Sequence, residues 1–261
     1  MEIRVDDKVL LVTGGTQGLG RAIALEAARS GASGILLTGR DEWRGAEAVA
    51  EIERLGVAST FVADDLGDAS MPERIVAAGL DRFGRIDGLV NAAAISDRGS
   101  VAEADTVFFD RLFAVNTRGP MFLMQGVIRH LQQRKAPGAI VNILSINAYG
   151  GTPELGIYAA TKAAMALLTK NAAYWQRFDR VRVNGINLGW ADTPGERTMQ
   201  TEKLGKGESW LSEAEAGMPW RRLIKPDDVA RLAIFLLSDA SIPMTGALVD
   251  QEQNFVLGVR D

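Results

Sequence analysis

Tyr158 and Lys162 stand four residues apart in "YAATK", inside a run of helical period, "LGIYAATKAAMALLTKNAAYWQ". Residues at that spacing share one face of a helix, with Cβ atoms about 5–6 Å apart. A phenol beside an ammonium can exchange protons near neutral pH if the cation stabilises the phenolate. A free phenol has a pKa of about 10, so bringing it near 7 takes roughly 4 kcal/mol. One ammonium a few ångströms away supplies on the order of 2–4 kcal/mol at an effective dielectric of about 20. The same spacing is also common on ordinary helix surfaces, where the Tyr packs and the Lys is solvated. The rest of the chain has to decide between the two.

A second constellation lies at the start, in "TGGTQGLGRAIALEAARSGA". Gly14, Gly18 and Gly20 fall between a strand-like run and an amphipathic helical one. Glycine there lets backbone N–H groups approach a phosphate, and the helix N-terminus favours an anion. The strand-before, helix-after context points to dinucleotide binding, although the spacing is Gly-x-x-x-Gly-x-Gly. Composition removes other chemistries. With no cysteine and one histidine, His130, thiolate nucleophiles, disulfides and multi-histidine metal sites are excluded, and no metal is expected. His130 reads as a surface or packing residue. A net charge of −4 gives no footprint for nucleic acid. No apolar run reaches the roughly 18 residues of a membrane helix, and the N-terminus lacks a secretory pattern. A soluble, cytoplasmic protein with no membrane partner is expected.

These groups need a frame. Strand-like runs at 9–13, 34–38, 59–63, 88–92, 139–144, 181–187 and 247–250 alternate with helical stretches near 19–30, 42–55, 70–83, 105–133, 157–178 and 227–238. Several strands are apolar on both faces, as when helices cover both sides of a parallel sheet. The alternation predicts an α/β fold: a single-domain, Rossmann-type, doubly wound parallel sheet of about seven strands, spanning 1–261. Segment 190–218 breaks the rhythm and reads as a substrate-binding loop or lid.

Taken in order, "TGGTQGLG", "DDL" at 64–66, "NAAA" at 91–94, Asn116, Ser145 and "YAATK" resemble the short-chain dehydrogenase/reductase family over nearly the whole chain. The resemblance implies an NAD(P)-dependent oxidoreductase acting on an alcohol or carbonyl. It implies that Tyr158 is the acid/base and that Ser145 holds the substrate oxygen and the phenol. Lys162 would bind the nicotinamide ribose and lower the phenol's pKa, and Asn116 would hold a water linking Lys162 to solvent. Gly14, Thr16, Gln17, Gly18, Leu19 and Gly20 would take the pyrophosphate side. Asp65 would meet the adenine amino group, Asn91 the adenosine ribose region and Thr193 the nicotinamide carboxamide, with Leu66, Ala93, Gly189, Ala191, Tyr158 and Lys162 also among the cofactor contacts. Pairing through the helices near 105–133 and 157–178 is implied, giving a homotetramer or a homodimer.

Three places depart from the family pattern. "NNAG" reads "NAAA"; "PG" after the sixth strand reads Leu188-Gly189; "DGG" near the end reads Glu252-Gln253-Asn254. At the end of the second strand stand Gly39 and Arg40, where a carboxylate would select NAD. An arginine can pair with the extra phosphate of NADP, so NADP is expected to be favoured, with NAD usable. Around the phenol, Arg98, Asn147, Trp190 and Arg197 are the candidate substrate contacts beside Ser145 and Tyr158, with Glu154, Asp192, Glu196 and Trp210 nearby. Such a lining suits a sugar, sugar acid or polyol, with an anionic group allowed by the arginines. A 3-oxoacyl or ketone reductase and a non-catalytic nicotinamide-binding regulator are the alternatives; the regulator has no need of the Tyr–Ser pair.

Overall fold

The computed structural model describes residues 3–150 and 152–254. Seven apolar runs form strands: β1 (Val9–Thr13), β2 (Gly34–Gly39), β3 (Ala58–Ala63), β4 (Gly88–Asn91), β5 (Gly138–Ile143), β6 (Val181–Leu188) and β7 (Leu248–Gln251). They pair in parallel in the order β3-β2-β1-β4-β5-β6-β7, the α/β Rossmann-type architecture expected from the alternation. The helices are α1 (Gly18–Arg29), α2 (Glu42–Arg54), α3 (Met71–Phe83), α4 (Thr106–Phe113), α5 (Gly119–Arg134), α6 (Gly156–Gln176), α7 (Pro194–Thr198), α8 (Trp210–Ala216) and α9 (Pro226–Leu237).

The period of two along a strand explains why these runs are apolar throughout. In β1, Leu10 and Val12 enter one core, whereas Leu11 enters the other. The first core packs Ile23, Ala24 and Ala27 of α1, Ile52 of α2, and Val229, Ala233 and Leu237 of α9 onto the sheet. The second packs Ile75 of α3, Leu123, Val127 and Leu131 of α5, and Ala173 of α6 onto the opposite face.

The strand order reverses between β1 and β4. The loops leaving their carboxyl ends therefore part, which opens a crevice where such sheets bind ligands. Two departures from the sequence reading matter. The stretch read as one helix at 105–133 is two, joined by a π turn at Ala114–Arg118. The segment 190–218 contains α7, a second π turn at Met199–Lys203 and α8.

The feet of that segment are tied together. Ile224 N donates to Trp190 O at 3.0 Å, and Asp192 N donates to Ile224 O at 2.9 Å. Asp192 also pairs with Arg197 and Lys225, which hold its carboxyl down at about 2. Elsewhere Arg182 is buried without a carboxylate. Its guanidinium donates to Leu236 O (2.8 Å), Ser238 O (2.9 Å) and Ser241 Oγ (2.7 Å), satisfying carbonyls at the end of α9. His130 accepts from Ile86 N at 3.2 Å, a packing role at the base of the sheet.

Candidate active site

The first turn of α6 carries Tyr158, and the next turn carries Lys162. Lys162 is buried and its Nζ donates to Ile143 O, at the end of β5, at 2.8 Å. The Nζ lies 5.7 Å from the centre of the Tyr158 ring. Ser145 follows two residues after Ile143; its Oγ accepts from Asn147 N at 3.1 Å and its side chain hydrogen-bonds the phenol. Thr161 Oγ1 donates to Tyr158 O at 2.6 Å and accepts from Asn116 Nδ2 at 3.2 Å. Asn116 sits in the first π turn, a device frequent at functional sites. Its amide also exchanges two 2.9 Å hydrogen bonds with the backbone of Ile95. Both ends of that amide are thus spent on protein partners, which ties the loop after β4 to α6.

The proton energetics differ from the sequence expectation. The phenol is pushed up to about 12, not down: burial disfavours the phenolate, the Ser145 hydrogen bond opposes that, Glu196 raises it further and Arg98 lowers it. Burial also brings the Lys162 ammonium down to about 8. The packing that brings the two groups together takes both out of water, and each charged form loses hydration.

A cleft of about 950 Å³ runs from this cluster to the glycine loop. It is lined by Gly14, Thr16, Gln17, Gly18, Leu19, Gly20, Arg40, Asp65, Leu66, Ala93, Gly189, Ala191 and Thr193 among the expected cofactor residues. Gly14 has φ +69°, and a Cβ there would stand 3.0 Å from Ala93 Cα; one at Gly20 would stand 2.3 Å from Gly14 O. Gln17 gives α1 no side-chain cap, so its first N–H groups face the cleft end free for an anion. Gln17 Oε1 instead accepts from Arg44 at 2.5 Å. These features fit a dinucleotide: the glycine loop for the pyrophosphate, Arg40 at the far edge of the adenosine end and Thr193 at the other. Arg40 is exposed and makes no hydrogen bond or ion pair among the described residues, its charge acting on Asp65. Asp65 lines the cleft but pairs with Arg111 at 3.0 Å and accepts from Gly67 N at 2.8 Å. Asn91 does not line it: its buried Nδ2 donates to Asn142 Oδ1 at 2.8 Å and to Pro120 O at 3.3 Å. The backbone after Asn91 takes that place, pinned by Thr13 Oγ1, which accepts from Ala92 N (3.0 Å) and Ala93 N (3.1 Å). Sequence reasoning missed Thr13, Arg44 and Arg111; the single hydroxyl ending the aliphatic run of β1 was the available signal for Thr13.

On the substrate side, Arg98, Asn147, Glu154, Trp190, Glu196 and Gln200 line the cleft around Tyr158. Arg197 does not; it forms a two-pronged pair with Asp192, at 2.6 and 2.8 Å. Trp210 is buried against Trp190, ring centres 6.3 Å apart.

The family model described as "Enoyl-(Acyl carrier protein) reductase" matches residues 14–251. The short-chain dehydrogenase/reductase FrzI of Cladobotryum sp is 36% identical over 253 residues, covering 96% of each chain. The chain belongs to the short-chain dehydrogenase/reductase family. It is an NAD(P)-dependent oxidoreductase of that family, acting on CH–OH groups. A sorbitol dehydrogenase of Cereibacter sphaeroides is 36% identical over 241 residues, 90% of this chain and 91% of that one. The crystal structure of L-sorbose reductase from Gluconobacter frateurii, complexed with NADPH and L-sorbose, superposes with a TM-score of 0.91 at 27% identity. It covers 98% of this chain and 99% of that one.

The departures from the short-chain dehydrogenase/reductase pattern have local reasons. Ala94 is exposed to the cleft, so its methyl meets space and not backbone. Gly189 packs on Glu252: a Cβ there would stand 2.3 Å from the Glu252 carboxylate. Glu252 and Asn254 line this chain's own cleft. Gln253 ties that end to the substrate segment, accepting from Trp220 N at 3.1 Å and donating to Arg222 O at 2.7 Å. Among the described residues no helix is long and apolar enough to cross a membrane, and no acidic or histidine cluster could hold a metal.

Proposed function

We propose that the enzyme interconverts a sugar, sugar acid or polyol with its carbonyl form, with NADP preferred and NAD usable. The observation that carries this is the lining around the phenol: Arg98, Asn147, Glu154 and Glu196 offer polar groups beside the Trp190 ring. A steroid or fatty-acyl pocket is mostly apolar; hydroxyl groups need donors and acceptors, and a sugar face stacks on an indole. The likeness to a sorbitol dehydrogenase and an L-sorbose reductase supports the same class. Arg40 supports the cofactor preference.

When bound, the nicotinamide supplies the carbon that accepts or gives the hydride. The chain's own groups handle the proton and the geometry. Ser145 holds the substrate oxygen against the phenol. Tyr158, with its pKa at about 12, is stored protonated at neutral pH and is ready to donate to a carbonyl oxygen. Lys162, at about 8, is mostly charged at pH 7 and balances the phenolate that remains. In this reading the whole chain is one catalytic domain, with 190–218 as its substrate-binding part.

Assembly is proposed to bury an exposed apolar surface on α4, α5 and α6. Phe109, Phe122, Leu167 and Trp175 are exposed there, Leu167 to 70% and Trp175 to 73%. The enzyme is accordingly read as a homotetramer or homodimer. The test of function is a panel of aldoses, ketoses, polyols and long apolar ketones assayed with both cofactors. Activity confined to the apolar ketones would overturn the sugar reading. Ile146, Leu155, Leu204 and Met218, also in the lining, favour a small-ketone substrate as the second reading.

A further inference from the structure

Glu196 is a carboxylate of the cleft that is fixed in place and whose charge reaches the phenol. Its Oε1 accepts from Trp190 Nε1 at 2.9 Å and from Gln200 Nε2 at 2.6 Å. Gln200 is 2% exposed, so this anchor is itself immobile. No described residue donates to the other oxygen, Oε2. Glu196 is half-buried, lines the cleft, and lies close enough to Tyr158 for its charge to act on the phenol. The backbone supports the placement, since Glu196 N donates to Thr193 Oγ1 at 3.1 Å.

An anchored carboxylate is an acceptor only. Gln200 adds a second acceptor behind it: its Oε1 is buried and has no described partner. The donors on this wall, Trp190 Nε1 and Gln200 Nε2, are spent on Glu196 Oε1, which leaves Oε2 as an acceptor with no described donor. It therefore matches a group that donates a proton. A hydroxyl is such a group; a carboxylate or sulfonate is the opposite. The nearby cation of the lining is Lys206, whose backbone N donates to Gln200 O at 2.9 Å. Arg98, which lines the same cleft and makes no hydrogen bond or ion pair among the described residues, offers donors only.

We propose that Glu196 is the specificity-determining residue of the site, selecting substrates that carry a neutral hydroxyl on the carbon next to the reacting one. The inference rests on the sugar-or-polyol reading above and narrows it to neutral polyols and sugars, with the hydroxyl donating to Glu196 Oε2. Anionic sugar acids are disfavoured at Glu196 itself and enter with their charge turned toward Arg98 or Lys206.

The experiment compares kcat/KM for butane-2,3-diol and butan-2-ol, which differ by one adjacent hydroxyl, in wild type, Glu196→Gln and Glu196→Asp. Wild type is expected to favour the diol by tenfold or more, the range of one charged hydrogen bond. Glu196→Gln is isosteric and removes the charge; it should reduce the preference to about threefold or less. Glu196→Asp keeps the charge but withdraws it by one methylene, and should fall between. It also serves if the Gln variant fails to fold. A wild type that prefers the diol while both variants keep that preference overturns the role of Glu196 and leaves the polyol reading standing. A wild type with no preference for the diol, or no turnover of it, overturns the polyol reading and the inference with it.

Discussion

The proposed preference for NADP rests on Arg40, which lines the cleft, is exposed, and makes no hydrogen bond or ion pair among the described residues, its charge acting on Asp65. Both acidic neighbours are held by other cations: Asp65 pairs with Arg111, and Asp41 caps α2 by accepting from Arg44 N at 3.0 Å and pairs with the Arg44 side chain at 3.4 Å. Gly39 removes the competing carboxylate for a steric reason as well, because a Cβ there would stand 2.8 Å from Thr16 Cγ2. A charged hydrogen bond contributes about 1.5–3 kcal/mol, and exposure moves the value toward the low end, about 1–2 kcal/mol. That is a preference of about 5- to 30-fold for NADP. Arg40→Ala should erase most of it while NAD kinetics stay within about threefold. Arg44→Ala should cost less, since its guanidinium is held by Gln17 and balanced by Asp41. The assay is kcat/KM for both cofactors at low and high salt, because an exposed contact of this kind is screened. A wild type that favours NAD, or an Arg40→Ala enzyme that keeps its NADP preference, refutes the reasoning.

Tyr158→Phe should lower turnover by about 10²–10⁴-fold with the cofactor dissociation constant nearly unchanged; retention of more than half the activity removes Tyr158 as the acid/base. For Lys162→Met the stability gap to wild type should depend on pH. The folded lysine titrates at about 8 against 10.5 when free, so the unfolded chain binds the proton more readily between them. Wild type therefore gains about 3 kcal/mol as pH rises from 8 to 10.5, a gain the variant lacks; equal denaturant midpoint changes in both would contradict it. Arg182→Leu strips the last carbonyls of α9 of their donors and should cost about 2–4 kcal/mol in unfolding free energy, with turnover per folded molecule unchanged. Light scattering at micromolar concentration should give a dimer or tetramer, and Leu167→Glu should weaken it; a monomeric wild type ends the assembly proposal.

The sheet was legible because its strands are buried on both faces: "VLLVT" and "GILLTG" need no partner to be recognised as parallel-sheet strands. The Tyr–Lys spacing and the glycine loop were legible because chemistry demands them at fixed offsets. What stayed hidden depends on tertiary neighbours. The π turn at 114–118 is a slip of register inside an unbroken apolar pattern, so 105–133 looked like one helix. Arg197 looked like a substrate ligand because residue type cannot reveal that Asp192, five positions earlier, captures it. Asn91 ends a strand, and its side chain turns into the sheet toward Asn142. The direction of the Tyr158 shift was misread since charge pairing follows from spacing, whereas burial follows only from packing.

The tied feet of the 190–224 excursion separate two kinds of inheritance. The chain leaves the sheet at Trp190 and returns to the same point at Ile224, closed by backbone hydrogen bonds and the Asp192 pairs. Ser145, Tyr158 and Lys162 stand on β5's end and α6, outside that closed excursion. Exchange between its feet leaves Ser145, Lys162 and the glycine loop where they are, but it also replaces Ala191 and Thr193 of the dinucleotide cleft and Glu196, whose charge acts on Tyr158. Substrate range and one wall of the cofactor cleft are therefore inherited together, as one closed unit.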